Sequence, residues 1–201
     1  MAGSLRNRRS RGFTLIELMV SIAIIGILAA TAVPALRFMA LRSKRSEAMV
    51  NLAGVREMQL SYFHETNAFL AAAPSPALPG YPNTGKQPWQ STRGSFSSVP
   101  GAGFDVIGWT PEGATFFDYD TNAQAGPNGW SFTAAAYGDT DGDGALSAFL
   151  YVFPDSLGAT LPSLLGGFTT AWEPATCKVL VDAVAQVPAA AGCGFPTADD
   201  F

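Results

Sequence analysis

The sequence predicts an α+β protein in which a long N-terminal α-helix, apolar along its first half, packs on a C-terminal antiparallel β-sheet. Three observations indicate this fold. An apolar run extends from Phe13 to Leu36, and a helical spacing of apolar residues continues from Arg37 to about residue 70. Short apolar runs separated by Gly, Pro, Asn and Asp then follow, as in sheets built of hairpins. With 48% hydrophobic residues, the 201-residue chain can form one core and still carry an additional apolar segment.

Charge is distributed unevenly along the chain. Eight of the 12 basic residues precede residue 46, whereas 3 basic and 13 acidic residues lie from Met58 onward. The acidic C-terminal part lacks the basic excess with which nucleic-acid-binding proteins contact phosphates, so no nucleic-acid binding is expected. One histidine and two cysteines are too few for a zinc or iron–sulfur site or a histidine-based triad. Most classes of enzyme are therefore disfavoured.

The run from Phe13 to Leu36 is long enough to cross a membrane, since a helix of this length measures about 36 Å against about 30 Å of hydrocarbon. A secretory signal peptide, with Ala30-Thr31-Ala32 as its cleavage site, is one interpretation, and a plain transmembrane anchor is another. Neither accounts for Glu17, because a carboxylate at the membrane centre costs about 2–3 kcal/mol.

The N-terminal sequence closely resembles that of type IV pilins and the related pseudopilins. The resemblance lies in RGFTLIELMV at residues 11–20, AIIGILAA at residues 23–30 and Pro34. It continues to about residue 70 through Ser46-Glu47-Ala48, Asn51-Leu52 and Gln59, a run that is similar to bacterial major pilins.

The resemblance implies that a prepilin peptidase cuts between Gly12 and Phe13 on the cytoplasmic side and N-methylates Phe13. It divides the chain into a basic leader (residues 1–12), a membrane-spanning and filament-core helix (13–36), an amphipathic helix (37–70) and a sheet body with a variable loop (71–201). This organisation implies a chain that resides in the inner membrane before assembly and in a surface filament afterwards.

The function implied is that of a structural, non-enzymatic pilus subunit in a homo-oligomeric helical filament, supporting surface motility and adhesion. Its expected partners are the peptidase, an inner-membrane assembly platform and a cytoplasmic ATPase, and no cofactor is required. A minor pilin, a type II secretion pseudopilin and a tip adhesin are alternatives. A membrane-anchored hydrolase using Asp118 and Asp120 is disfavoured, because these carboxylates lie two residues apart without a supporting site.

Glu17 has a specific expected role in assembly. Cleavage creates an amine at Phe13 that is charged at neutral pH, and the Glu17 carboxylate of a neighbouring subunit can pair with it. Such pairing relieves two desolvation penalties and sets the axial stagger of the subunits. Gly26 and Pro34 weaken the helix. The resemblance implies that the stretch between them loses helical structure in a filament, and a static kink is the alternative.

Strands are predicted around residues 104–109, 115–119, 130–137, 146–153 and 178–184. Residues 74–100 contain six prolines and are predicted to form an exposed connector. The helix face expected to lie on the sheet consists of Ala48, Leu52, Val55, Met58 and Tyr62. The basic residues that precede this face are expected to be solvated or to contact the acidic body of another subunit.

The sequence GDTDGDG at residues 138–144, named the acidic loop here, carries Asp139, Asp141 and Asp143 at alternating positions, as in calcium-binding loops. Leu150 stands where an EF-hand requires glutamate, so a full EF-hand is excluded. A candidate calcium site and a plain hairpin turn built on Asp-Gly pairs remain the two alternatives.

Cys177 and Cys193 fall in the part of the chain that the resemblance places outside the cytoplasm. A disulfide between them is therefore expected. Closing a loop of this size contributes about 3 kcal/mol to stability.

Overall fold

A computed structural model describes residues 12–76, 85–89, 103–142, 144, 146–164, 171–173 and 178–188. Residues 1–11 of the expected leader, Asp143, Cys177 and Cys193 lie outside the described residues. The cysteine pairing and the third aspartate of the acidic loop therefore stay predictions. The chain divides into two compact units, residues 1–40 and 41–201.

The described elements are one helix and seven strands: α1 (Leu15–Thr66), β1 (Ala72–Ser75), β2 (Asp118–Gly126), β3 (Gly129–Gly138), β4 (Ser147–Phe153), β5 (Ala171–Glu173), β6 (Lys178–Leu180) and β7 (Val184–Gln186). The predicted α+β class is confirmed. Strands β1, β2, β3, β4 and β7 form a five-stranded antiparallel sheet in that order, and β5 pairs with β6.

Helix α1 is continuous over 52 residues, and it includes both Gly26 and Pro34. Pro34 removes one backbone hydrogen bond, and the alanine, leucine and isoleucine residues around it are compatible with helix. These two residues do not interrupt the helix of the single chain. The unwinding between them on assembly stays a prediction.

Strands β3 and β4 were predicted correctly. Strands β2 and β3 pair from Asp118 with Tyr137 to Gly126 with Gly129. Gly129 has a φ of +110°, a conformation that favours glycine at this tight connection. Strand β4 pairs with β3 from Ser147 to Phe153. Strands β3 and β4 are short, mostly apolar runs bounded by turn residues, and both are buried over nearly their whole length.

Other strand predictions were wrong or displaced. Residues 104–109 form a turn, because Gly108 adopts a φ of +71° that an extended strand excludes. Strand β2 begins three residues later than predicted, at Asp118. The predicted strand at 178–184 is divided into β6 and β7 by Asp182, which has a φ of +54°.

The proline-rich connector begins with a strand that was not predicted. Strand β1 is buried and pairs with β2 at the edge of the sheet. An edge strand tolerates Pro74 because one side of it needs no ladder hydrogen bonds.

The core lies between the second half of α1 and one face of the sheet. Ala48, Leu52 and Val55 of α1 are fully buried, as predicted. Met58 is 38% exposed and Gln59 is fully buried, so the prediction for Met58 was wrong. Met58 and Gln59 both lie at a helical spacing from Val55. Gln59 is the buried one because its side chain forms hydrogen bonds with Leu70 and Thr121.

Aromatic side chains fill most of the remaining core. Phe117, Phe132 and Phe149 are buried, and Phe116 and Trp130 pack against the same core while partly exposed. A further group joins the turn at 104–109 to β2 through the rings of Trp89, Phe104, Trp109 and Tyr119, whose centroids lie 5.0–6.1 Å apart. The apolar residues of the turn thus contribute to the core without forming a strand.

Candidate functional site

The first half of α1 exposes an apolar surface over its whole circumference. Every residue from Gly12 to Ala40 is exposed except Ser21, which is half-buried. Leu15 and Ile27 expose 76% and 70% of their area. Within the described residues, α1 is the one helix that is long and apolar enough to cross a membrane. An apolar surface of this extent requires lipid or another protein to cover it.

Glu17 and Thr14 form a reciprocal capping box at the start of α1. The Thr14 hydroxyl and backbone N–H donate to Glu17 Oε2 at 2.8 Å and 3.1 Å, and the Glu17 backbone N–H donates to Thr14 Oγ1 at 3.2 Å. The interaction satisfies backbone donors that a helix start leaves unpaired. It also gives the carboxylate two local donors, which lowers the cost of placing it in an apolar environment.

The sequence analysis did not identify this capping box. The signal was present, since a threonine followed three residues later by glutamate before an apolar run is the usual pattern of such a box. The structure therefore adds Thr14 to the residues with which Glu17 can interact. The predicted contact between Glu17 and a Phe13 amine of another subunit stays a prediction.

Polar side chains of the second half of α1 bind the sheet at regular intervals. Lys44 Nζ donates to the Thr140 carbonyl at 2.5 Å, and Glu47 Oε1 accepts from the backbone N–H of Phe116 at 2.8 Å. Asn51 Nδ2 donates to the Tyr119 hydroxyl at 2.8 Å. Lys44, which was expected to be solvated or to contact another subunit, instead contacts the acidic loop of its own chain.

One turn further along α1, Arg56 connects the helix to the C-terminal segment. Its Nε donates to the Tyr151 hydroxyl at 3.0 Å, and that hydroxyl donates to Asp182 Oδ1 at 2.5 Å. Burial, followed by the hydrogen bond to Asp182, raises the pKa of Tyr151 to about 12. The phenol therefore keeps its proton at neutral pH and links Arg56 to Asp182.

The side chain of Asp139 stabilises the backbone of the acidic loop through hydrogen bonds. Asp139 is 4% exposed, and its two carboxylate oxygens accept from the backbone N–H groups of Gly142 and Gly144 at 2.6 Å and 3.0 Å. Asp141 is exposed. In the part of the chain that the structure describes, no three acidic, histidine or cysteine side chains are grouped to hold a metal ion. Because Asp143 lies outside that part, calcium binding stays a prediction.

Asp118 and Asp120, the pair considered for a hydrolase, are 4% and 0% exposed. Carboxylates that solvent and substrate do not reach are poorly placed for hydrolysis.

Two features define the class of protein: an apolar N-terminal helix with one capped glutamate, and a second helical half that packs on an antiparallel sheet. Residues 7–33 match the family model of the prokaryotic N-terminal methylation motif. Residues 7–33 therefore carry a prepilin-type N-terminal motif.

The curated relatives to which the chain is similar are pilins and a fimbrial protein. The type IV major pilin protein PilA of Myxococcus xanthus is 52% identical over 63 residues, which are 31% of this chain and 29% of the relative. The fimbrial protein EcpC of Eikenella corrodens is 56% identical over 54 residues, 27% of this chain and 35% of the relative. The type IV major pilin protein PilE1 of Neisseria gonorrhoeae is 40% identical over 77 residues, 34% of this chain and 47% of the relative.

The N-terminal segment is similar to that of type IV major pilins, which confirms the resemblance found in the sequence. The chain spans less than half the length of each of these relatives. No solved structure matches it.

Proposed function

We propose that this chain is a structural subunit of a type IV pilus. It is made as an inner-membrane precursor, cleaved between Gly12 and Phe13 by a prepilin peptidase, N-methylated at Phe13, and assembled into a homo-oligomeric surface filament. An assembly platform and a cytoplasmic ATPase drive the assembly. The filament supports surface motility and adhesion.

The observation that carries this proposal is the exposure of every residue but Ser21 in the apolar run from Phe13 to Leu36. Before assembly, lipid covers this surface. In a filament, the same surface packs against equivalent helices of other subunits, which removes it from both lipid and water. The one charged residue in the run, Glu17, lies in the first turn of α1, close to the amine that cleavage creates.

The capping box suggests how Glu17 changes partners. In the single chain, Thr14 supplies the donors to the carboxylate. In the filament, a methylated Phe13 amine of a neighbouring subunit supplies a charged donor, and charge-assisted hydrogen bonds are about twice as strong as neutral ones. The exchange favours assembly over the isolated subunit.

Glu17→Ala tests the pairing. The substitution makes the helix more apolar, so membrane insertion continues while filament assembly is impaired. Ser21→Ala is the matched control, because the Ser21 hydroxyl donates only to the Glu17 carbonyl one turn earlier. Sheared surface filaments and membrane fractions are compared by immunoblot. Wild-type amounts of filament from Glu17→Ala would show that no ion pair is needed.

Thr14→Val and Thr14→Ser separate the capping box from the ion pair. Valine removes the hydroxyl that both donates to Glu17 and accepts from its backbone N–H, at a cost of about 1 kcal/mol, whereas serine keeps it. Thr14→Val is therefore expected to lower the amount of precursor in the membrane more than Thr14→Ser does. Equal amounts of the two variants would contradict a role for the box in the precursor.

Mass spectrometry of sheared filaments tests processing. A mature chain that begins with methylated Phe13 is expected, whereas one that begins near Val33 would support the signal-peptide alternative. The amount also distinguishes the alternatives within the class. A major pilin dominates sheared material, while a minor pilin, a tip adhesin or a secretion pseudopilin is scarce in it.

A further inference from the structure

A groove separates the second half of α1 from the loop that follows Trp109. Its cavity measures about 520 Å³, and its lining includes Glu47, Asn51 and Gly54 of the helix and Trp109 and Glu112 of the loop. Gly54 lets the loop lie close to the helix, because a Cβ at this position would be 2.9 Å from Trp109 Nε1. A cavity of this volume is large enough to receive a side chain from another molecule.

The groove is acidic. Two carboxylates line it, and none of the described residues in its lining is basic. Glu47 already has partners, since its Oε1 accepts from the Phe116 backbone N–H at 2.8 Å and its Oε2 lies 3.3 Å from Lys86 Nζ. Glu112 is exposed, and within the described part of the chain no residue donates to its carboxylate. The groove thus offers the Glu112 carboxylate to a cation from outside.

An apolar surface borders this carboxylate. Val50, on the helical side of the groove, exposes 69% of its area. A long cationic side chain suits this combination, because its methylene groups cover apolar surface while its charged end reaches a carboxylate. Arginine suits it best, since the planar guanidinium pairs with a carboxylate through two parallel hydrogen bonds.

Arg37 differs from the other basic residues between the apolar run and the buried face of α1. Lys44 binds the acidic loop, and Arg42 and Arg45 each have an interaction within the chain. Arg37 is exposed, and no residue in the described ranges forms an ion pair with it. Its guanidinium is therefore available to another molecule.

Filament assembly requires a counter-charge for Arg37. The neighbouring Leu36, Phe38 and Met39 expose 65%, 53% and 66% of their area. A contact between subunits that covers these apolar side chains also removes the adjacent guanidinium from water. Because a charge withdrawn from water is costly unless it is paired, Arg37 needs a carboxylate at the same contact.

We propose that the groove receives Arg37 of a second copy of this chain and that Glu112 is its counter-ion in the filament. The inference rests on the proposed function and adds a second ionic contact to the one expected at Glu17. In the precursor, Arg37 follows the apolar run directly, where water and lipid headgroups solvate it. On assembly the guanidinium exchanges them for Glu112, and its methylene groups cover Val50. The contact joins the helix of one subunit to the body of another.

Exchange of the two charges tests this pair in sheared filaments. Arg37→Glu and Glu112→Arg each place like charges together, so each is expected to reduce the amount of filament on the order of tenfold. The double variant restores the pair in reverse and should return the amount to within about twofold of wild type. A double variant no better than the single ones would overturn the proposal and indicate a different occupant of the groove.

Two controls accompany the exchange. Arg37→Glu combined with Glu65→Arg should not regain filaments, because Glu65 is exposed near the end of α1 and does not line the groove. The amount of precursor in membrane fractions should match wild type in every variant, since the substituted side chains are all exposed. Recovery with Glu65→Arg, or a loss of precursor equal to the loss of filament, would refute the specific pairing.

Carbodiimide cross-linking locates the contact directly. Arg37→Lys keeps the charge and supplies an amine that the reagent joins to a carboxylate as an amide. Sheared filaments of this variant are expected to yield a covalent dimer with a peptide that joins position 37 to Glu112, and adding Glu112→Gln should abolish it. Filaments that contain methylated Phe13 but no such peptide would refute this contact and leave the pilus function intact. Absence of filaments from wild type would refute both.

Discussion

Replacement of Gln59 by leucine tests whether a polar residue in the apolar stripe of α1 sets the position of the chain that leaves the helix. Gln59 is fully buried, and its amide binds Leu70 as a strand neighbour would. Nε2 donates to the Leu70 carbonyl at 2.7 Å, and Oε1 accepts from the Leu70 backbone N–H at 3.0 Å. Nε2 also lies 3.2 Å from Thr121 Oγ1.

The size of the effect follows from the groups that lose a partner. In Gln59→Leu the Leu70 carbonyl still accepts from the Thr121 hydroxyl at 2.9 Å, but the Leu70 N–H loses its acceptor. An unpaired, partly buried N–H costs about 1–3 kcal/mol, and the larger apolar surface of leucine offsets part of this cost. A net loss of about 1–2 kcal/mol is expected, which corresponds to about 2–8 °C in Tm for a domain of this size.

Tryptophan fluorescence during thermal unfolding in nonionic detergent measures this loss. The four tryptophans, Trp89, Trp109, Trp130 and Trp172, all lie outside α1, so the signal reports on the body. Gln124→Leu is the matched control, because Gln124 is exposed on β2 and the same substitution there leaves no buried group unpaired. A Gln59→Leu variant at least as stable as wild type would refute the reasoning. It would show that the apolar stripe of α1 needs no polar residue to position the chain that leaves the helix.

Three further predictions concern the body. Gly54→Ala is expected to lower stability by about 1–3 kcal/mol in thermal unfolding, because the added Cβ would lie 2.9 Å from Trp109 Nε1. Gly26→Ala is the control, because a Cβ there meets open space and should not lower stability. Equal effects of the two substitutions would contradict the overpacking argument. Replacing Cys177 and Cys193 by serine should lower the Tm of the oxidised chain through loss of about 3 kcal/mol, and two free thiols in non-reduced protein would exclude the bridge. Millimolar calcium should raise the Tm relative to chelator, since a ligand of the folded state stabilises it; an unchanged Tm would identify the acidic loop as a plain hairpin turn.

The N-terminal segment was predictable because its determinants are local in the sequence. The apolar run from Phe13 to Leu36, its single carboxylate at Glu17 and the methylation motif at residues 7–33 need no tertiary contact to be recognised. The Thr14 capping box belongs to the same category, since it depends on residues three apart. The strands at 129–138 and 147–153 were predictable for a similar reason, because each is a short, mostly apolar run bounded by turn residues.

Elements governed by distant contacts were not predictable. The choice of Gln59 over Met58 for the buried stripe depends on Leu70 and Thr121, which lie 11 and 62 residues further along the chain. The apolar residues at 104–109 indicated a strand, yet Gly108 places them in a turn whose rings pack on Trp89 and Tyr119.

The sequence by itself therefore determined the order of the parts: an apolar helix that carries the N-terminal methylation motif, followed by a sheet body. Only the tertiary structure decided how the body is held together. Asp118 and Asp120 are two acidic residues on a strand in the sequence, and their burial, with the Leu164 N–H donating to Asp120, exists only in the folded body. The physical reason is that burial and the loss of hydrogen-bonding water depend on segments far apart in the chain, whereas periodicity and motifs depend on neighbours.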